Sequence, residues 1–254
     1  MTTTPAPARG PRLAHEADLV RPVSLRSVEI AARAPSGFNR RHLRMPRPEE
    51  VLRGRPDPWF RLTRPHAVLG TPVQVADEDI PAGHDIAVLG RGSFWGAEEV
   101  YWQLPGVWTT SVGYAGGTTP YPSYEEVCSG LTGHVQAVRV VFDPSVITFA
   151  TLVRIFFATH DATQAMRQEN DLGTQYRSML LVRDRCQARV AHVTLRAYTQ
   201  ALGAHDLGPP TTEIATTSTY YYAEEPHQQY LAANPHGYRC RATSPVPVPF
   251  LPDL

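Results

Sequence analysis

Short apolar runs alternate with stretches of helical periodicity beyond residue 84, and this pattern predicts the fold. Strands are predicted over Asp85–Leu89, Val107–Tyr114, Val135–Phe142, Ser178–Val182 and Thr211–Thr217. Helices are predicted over Phe94–Leu104, Thr148–His160, Arg183–Ala201 and Glu224–Ala233. Strands that alternate with helices in this way predict a two-layer mixed α/β sandwich.

The rest of the chain is rich in proline and lacks sustained periodicity, which predicts four parts. We expect residues 1–45 to be a flexible Arg/Pro-rich N-terminal arm and residues 46–83 to be an irregular segment wrapped on the core. Residues 84–240 form the predicted compact catalytic-fold domain, and residues 241–254 a Pro-rich C-terminal tail. The arm has too few apolar residues in register to bury a face of its own.

Charge is uneven along a chain whose net charge is zero. Residues 1–64 hold thirteen arginines and six acids, which leaves eleven arginines and eighteen acids for residues 65–254. The N-terminal arginines are scattered among prolines without interleaved aromatic residues, so a solvated arm is favoured over a nucleic-acid site. No stretch has the length of a membrane span or the pattern of a signal peptide, so we expect a cytoplasmic protein with no membrane partner.

The most informative residue of the chain is Ser93. It lies in the segment Gly92–Gly96, where a predicted strand ends and a predicted helix begins. Serine at this position is ordinarily a helix N-cap. A hydrolase nucleophile elbow would need glycines where the chain has Arg91 and Trp95, and the glycines also miss the dinucleotide-binding spacing. Three histidines could supply a base, but their spacing ties none of them to Ser93: His134, His160 and His227.

Several motifs occur together and in a fixed order around this serine. They are Gly92–Gly96, Gln103–Val107, Val112–Gly117, Tyr124–Gly130, Gly133–His134, Asn170–Ser178 and Pro226–Tyr230. Together they resemble the A-type peptide methionine sulfoxide reductases, over roughly His84–Cys240 and more weakly back to Pro46. The resemblance implies the α/β sandwich of that family.

The resemblance also implies a substrate pocket. Phe94 and Trp95 match the aromatic pair that holds the S-methyl group of the substrate, and aromatic faces suit a polarisable sulfur. Tyr124 and Tyr176 match the tyrosines whose hydroxyl groups hold the sulfoxide oxygen. Asp171 matches an acidic residue of the same pocket.

Two positions depart from the family pattern at its chemical centre. Ser93 stands where the resemblance implies the nucleophilic cysteine, and an alcohol lacks the redox ladder of a thiol. Gln136 stands where it implies the glutamic acid that protonates the sulfoxide oxygen, and an amide is a poor proton donor. Cys240 matches the resolving cysteine that passes a disulfide to thioredoxin. The other two cysteines, Cys128 and Cys186, read as ordinary thiols, and an odd count of three argues against a disulfide framework.

These departures predict a family member that has lost thiol-based reduction of methionine-(S)-sulfoxide, so ordinary reductase activity is not expected. We expect a repurposed enzyme that uses the pocket for non-redox acid–base chemistry, such as isomerisation, dehydration or cyclisation of a small molecule. Asp171, the two tyrosines, Ser93 and Gln136 would be its catalytic residues. The alternatives are a reductase with inactivating substitutions and a non-catalytic protein that binds methionine sulfoxide.

No cofactor and no metal site are expected from the sequence. The expected partner is a small molecule or a ligand similar to methionine sulfoxide, with thioredoxin as a partner only if reductase activity persists. Whether Ser93 and Gln136 arose by natural divergence or by laboratory substitution is left open by the sequence, which favours divergence because two sites changed together.

Overall fold

Most strands of the computed structural model, which describes residues 43–217 and 219–251, join one central sheet. The strands are β1 Asp85–Arg91, β2 Val107–Ala115, β3 Val135–Phe142, β4 Arg167–Gln168, β5 Asp171–Leu172, β6 Ser178–Val182, β7 Glu213–Thr216 and β8 Tyr221–Tyr222. The order in the six-stranded sheet is β7-β6-β1-β3-β2-β8, and β4 pairs with β5 in a separate hairpin. β6 and β7 are parallel, and the other neighbouring pairs are antiparallel.

Five α-helices accompany the sheet in the described part of the chain. They are α1 Phe94–Trp102, α2 Tyr124–Cys128, α3 Phe149–Ala158, α4 Arg185–Gly203 and α5 Tyr230–Ala233. Side-chain oxygens cap three of them: Ser123 accepts from the Glu126 amide before α2, Thr148 from the Thr151 amide before α3, and Asp184 from the Gln187 amide before α4. Such caps satisfy amides that lack a partner within the helix.

Buried apolar side chains lie on both faces of the sheet. The helices cover one face, and the other face is also covered. On one face, Leu89 and Val138 belong to the same buried cluster as Phe156 of α3 and Tyr198 of α4. On the other face, a smaller cluster is covered in part by Ile80, from the irregular segment that precedes the sheet. Every residue of β3 is buried, because both faces of this central strand are covered. The predicted fold class is confirmed.

The structure adds elements that the periodicity did not predict. The polar composition of the segment 161–175 predicts a loop, but the segment contains the β4–β5 hairpin. The loop after β2 contains α2, which begins with a capping box. Ser123 accepts a hydrogen bond from the Glu126 amide, and the Glu126 carboxylate accepts one from the Ser123 amide. The spacing Ser-x-x-Glu is a recognised start signal, and it could have identified this helix.

The predicted helix over Glu224–Ala233 is wrong as a continuous element. A 3₁₀ turn spans Glu225–His227, Gln229 has a left-handed backbone with φ 46°, and only Tyr230–Ala233 is α-helical. The break has a physical cause, because the Gln229 amide donates to the Glu98 carboxylate at 2.8 Å instead of to a helical carbonyl.

The structure describes some of the four predicted parts of the chain more fully than others. Most of the predicted arm 1–45 lies outside the described residues, and the boundaries at 46, 84 and 240 stay predictions. Across 43–217 and 219–251, no helix has the length and apolar character needed to cross a bilayer.

Candidate active site

The turn between β1 and α1 presents Ser93 at the start of the helix. Gly92 has φ 92°, and a Cβ atom there would lie 2.8 Å from the side chain of Gln168, so this position requires glycine. Ser93 is only 7% exposed and occupies the N-cap position of α1, yet its side chain makes no capping hydrogen bond. The ordinary N-cap explanation of this serine is therefore not what the structure has.

Gln136, on β3, satisfies the start of α1 instead. Its Oε1 atom accepts a hydrogen bond from the Phe94 amide at 3.1 Å, and its side chain is buried. The donor of this amide is its Nε2 group, and the Gln136 side chain also interacts with the Tyr124 hydroxyl. The site thus combines a helix N-terminus with an amide donor, an arrangement that favours an electronegative oxygen.

Five aromatic rings, hereafter called the cage, surround this helix start: Phe94, Trp95, Tyr124, His227 and Tyr230. Trp95 stacks on Tyr230 with centroids 4.2 Å apart, and Tyr124 stacks on His227 at 4.3 Å. Phe94 lies 6.2 Å from both Trp95 and Tyr124. Such a set of ring faces suits a methyl group or a polarisable sulfur atom.

His227 joins two walls of the cage. The Trp95 indole N–H donates to its Nδ1 atom at 3.3 Å, which leaves the proton of the neutral ring on Nε2. Burial lowers the pKa of His227, so the neutral ring is favoured near pH 7. This residue and Tyr230 lie in the block Pro226–Tyr230, to which the sequence analysis assigned no role.

Two tyrosine hydroxyl groups and a carboxyl group line the polar side of the site. Burial raises the pKa of Tyr124 and of Tyr176, so both phenols remain protonated donors at neutral pH. Burial also raises the pKa of Asp171, whose Oδ2 atom accepts a hydrogen bond from the Tyr238 hydroxyl at 3.0 Å. Electrostatic interactions join Asp171 to Tyr176, and both of them to the Cys128 thiol.

Residues 237–241, hereafter called the tail segment, close one side of this region. Arg239 forms a two-point ion pair with Glu99 of α1, with N–O distances of 2.7 and 2.8 Å. The Cys240 thiol donates to the Glu169 Oε2 atom at 3.5 Å. Burial, with nearby carboxylates, raises the pKa of Cys240 to about 12. The thiol is therefore protonated at rest.

The predicted site residues fall into two connected groups. Five of them meet at the start of α1 through the contacts given above: Ser93, Phe94, Trp95, Tyr124 and Gln136. The second group contains the remaining predicted residues, which lie on the β4–β5 hairpin, on the 3₁₀ turn that follows it and on the tail segment: Asp171, Tyr176 and Cys240.

Two of the three candidate histidines have partners elsewhere. His134 accepts from the Gly117 amide through Nδ1, and His160 contacts the Ser178 hydroxyl through Nε2. No hydrogen bond from either to Ser93 occurs among the described residues, and the hydrolase interpretation gains nothing from them.

Comparison with known proteins identifies the class to which this fold and site belong. Residues 85–248 match the family model described as peptide methionine sulfoxide reductase. Because the match covers more than half of the chain, the protein belongs to the peptide methionine sulfoxide reductase family.

Individual relatives agree with this family assignment. The chain is 49% identical over 199 residues to a protein of Brucella ovis named peptide methionine sulfoxide reductase MsrA, with 78% of this chain and 89% of that one covered. A protein of the same name from Azorhizobium caulinodans is 49% identical over 203 residues, with 79% and 90% covered. Among solved structures, methionine sulfoxide reductase A of Corynebacterium diphtheriae matches with a TM-score of 0.72 and 41% identity, covering 82% of this chain and all of that one.

These similarities overturn two predictions drawn from Ser93 and Gln136. The prediction that reductase activity is absent is wrong, and so is the prediction that the pocket serves non-redox acid–base chemistry, because relatives at 49% identity over most of the chain are named as the reductase. The alternatives of an inactivated reductase and a silent binding protein are not better supported. These predictions followed from the side chains at positions 93 and 136, and they gave no part in the attack on the sulfoxide to the other thiols, two of which, Cys128 and Cys240, interact with Asp171.

Proposed function

We propose that this protein reduces methionine-(S)-sulfoxide. The observation on which the proposal chiefly depends is the aromatic cage at the start of α1, in a chain that belongs to the reductase family. A sulfoxide has an apolar methyl group, a soft sulfur atom and a strongly accepting oxygen. The site offers ring faces for the first two and hydrogen-bond donors for the third.

Within this proposal, each side chain has one task. Phe94 and Trp95 hold the S-methyl group. The hydroxyl groups of Tyr124 and Tyr176 donate to the sulfoxide oxygen, which is consistent with their raised pKa values. Asp171 is the proton donor of the pocket, since burial raises its pKa and keeps a larger fraction of the carboxyl protonated.

The proposal also assigns positions to the two unusual residues. Ser93 stands at the nucleophile position of the family, and Gln136 at the position of its acid. With Oε1 occupied by the Phe94 amide, Gln136 can orient the sulfoxide oxygen through Nε2 but does not deliver a proton. Ser93 can donate a hydrogen bond and cannot be oxidised, so the sulfur that reacts must come from another residue.

The reaction needs two electrons from outside the chain. A dithiol supplies them and becomes a disulfide, while the sulfoxide becomes a thioether and its oxygen leaves as water. Thioredoxin is the dithiol partner that we propose, on the ground of the family resemblance, and dithiothreitol can replace it in an assay.

Turnover of a peptide that contains methionine-(S)-sulfoxide, with dithiothreitol in excess, tests the proposal. The chain as written should form methionine, and the (R)-sulfoxide of the same peptide is the stereochemical control. The double variant Ser93→Cys, Gln136→Glu should be faster by about 100-fold or more, because a nucleophile and a general acid are added at the helix start. No methionine from the unmodified chain, under conditions where the double variant is active, would overturn the proposal.

A further inference from the structure

The tail segment is held against the first turn of α1, close to the cage. A Cβ atom on Gly96 would lie 3.8 Å from the Cys240 carbonyl oxygen and 3.9 Å from its amide nitrogen. Gly96 follows Ser93 by three residues, so both lie on one side of the helix. The backbone of Cys240 therefore lies within one helical turn of the position that binds the substrate in the proposed function.

A carboxylate is in place to accept the proton of this thiol. The Cys240 Sγ–H group points at Glu169 Oε2 over 3.5 Å, and the Arg241 amide donates to the same oxygen at 3.2 Å. Glu169 is thus oriented by a third group, which is the arrangement that activates a nucleophile through a neighbouring base. A thiol that is protonated at rest needs such a base at the moment of attack.

A buried cation lies on the other side of Cys240. Arg91 is 7% exposed, and its Nη1 and Nη2 groups donate to the carbonyl oxygens of Thr159 and Gly96 at 2.5 and 3.1 Å. Its Nε–H is buried without a hydrogen-bond partner among the described residues. The guanidinium interacts electrostatically with the Tyr101 hydroxyl and with Cys240, whose backbone lies beside the same Gly96. A buried guanidinium whose other partners are neutral carbonyl and hydroxyl groups favours an anion beside it, such as a developing thiolate.

We propose that Cys240 is the sulfur nucleophile of this protein, with Glu169 as its general base and Arg91 as the cation that stabilises the thiolate. This inference depends on the proposed reductase function. It gives Cys240 the attacking role, which differs from the resolving role implied by the family resemblance.

The proposed step balances in atoms and electrons. Glu169 takes the thiol proton as Cys240 Sγ bonds to the sulfoxide sulfur, and Asp171 donates a proton to the sulfoxide oxygen. The sulfur–oxygen bond and the new sulfur–sulfur bond then break together as the hydroxyl group passes to Cys240, which becomes a sulfenic acid, while an electron pair stays on the substrate sulfur, which becomes a thioether. Proton exchange with solvent returns Glu169 to the carboxylate and Asp171 to the acid. An external dithiol then reduces the sulfenic acid, with release of water and formation of the dithiol's own disulfide.

Serine variants of the three cysteines in the full chain test this inference. With the (S)-sulfoxide peptide and dithiothreitol, Cys240→Ser should abolish turnover. The matched control, Cys186→Ser on the exposed face of α4, should keep turnover within about threefold of the unmodified chain, in line with a conservative change away from the reacting atoms. Cys128→Ser tests the other thiol of the pocket, and a loss of turnover there while Cys240→Ser stays active would overturn the role of Cys240. Thermal melts establish that all variants are folded.

A chemical readout separates a reacting thiol from a structural one. Without reductant, one equivalent of peptide sulfoxide should leave a sulfenic acid on Cys240, which dimedone traps and mass spectrometry locates. Glu169→Gln should lower kcat by about 100-fold with little change in KM, because a general base acts in the chemical step.

The outcomes distinguish the two proposals. Turnover by the unmodified chain that persists in Cys240→Ser, or a dimedone adduct on Cys128 instead, overturns the role of Cys240 and leaves the reductase proposal standing. No turnover by the unmodified chain overturns the reductase function itself.

Discussion

The cage and the tail segment border the same pocket but are held in different ways. The cage is built on the first turns of α1, α2 and α5 and on the 3₁₀ turn before α5, and buried groups support it. Glu98, which has no exposed surface, accepts from the Thr110 hydroxyl and from the amide and side chain of Gln229. The tail segment is held by half-exposed contacts, chiefly Arg239 with Glu99 and Tyr238 with Asp171.

Because of this difference, the cage should be held more firmly than the tail segment. Buried, fully bonded networks hold one geometry, whereas polar contacts near solvent contribute little stability and exchange readily. In the proposed function, substrate recognition belongs to the buried region. The thiol that we propose to attack, become oxidised and then meet an external dithiol belongs to the region held by contacts near solvent.

The largest effect is expected at Glu98, which ties the two walls of the cage together. Burial raises its pKa to about 7 from the ordinary 4.5. Between these values the unfolded chain loses the proton while the folded protein retains it. Stability is therefore full below about pH 4.5 and declines as the pH rises through 7, by about 3 kcal/mol in total at 1.36 kcal/mol per pKa unit.

Urea unfolding at pH 5 and pH 8 measures this loss. The variant Glu98→Gln cannot titrate, so its free energy of unfolding should depend less on pH across the same window, whatever its absolute value. An unchanged pH dependence in this variant would show that Glu98 is ionised in the folded protein, and that the cage is anchored by a carboxylate.

The sequence predicts one wall of the cage, at the start of α1, better than the other wall, which follows β8. The strand β3 and the start of α1 follow from apolar runs and glycines, so Gln136 and Phe94 could be placed near one another. The residues after β8 could not, because Gln229 adopts a left-handed backbone only in response to Glu98, which is distant in sequence. Long-range hydrogen bonds of this kind leave no local periodic signal.

The reaction predicted from the sequence was wrong for a similar reason. That prediction considered only two positions of the motifs, Ser93 and Gln136, and from them concluded that reduction of the sulfoxide was lost. Glu169 and Arg91 had no assigned role, although both lie beside Cys240 in the folded protein. The hairpin that carries Glu169 was predicted as a loop, so its carboxylate could not be placed against the thiol.

An intermediate effect is expected from removal of the central ring of the cage. Trp95 stacks on Tyr230 and donates to His227, so Trp95→Ala removes both a ring face for the methyl group and the support of two neighbours. We expect kcat/KM for the (S)-sulfoxide to fall about 30-fold, which corresponds to a loss of about 2 kcal/mol of transition-state stabilisation. Most of the change should be a higher KM. Trp59→Ala, at an exposed tryptophan of the segment before the sheet, is the matched control and should leave kcat/KM unchanged. A loss confined to kcat would contradict a role in binding.

The smallest effect on stability is expected from a change at Arg239, which holds the tail segment against α1. Its ion pair with Glu99 is partly exposed, so Arg239→Ala should lower the free energy of unfolding only slightly. Arg44→Ala, which breaks a comparable two-point pair with Glu50 far from the pocket, should cost a similar amount. Turnover separates the two, since only Arg239 fixes the tail segment beside α1 and should slow the reaction when removed. Equal turnover in both variants would mean that the position of Cys240 does not depend on this ion pair, and that Tyr238 and Arg241 suffice to hold it.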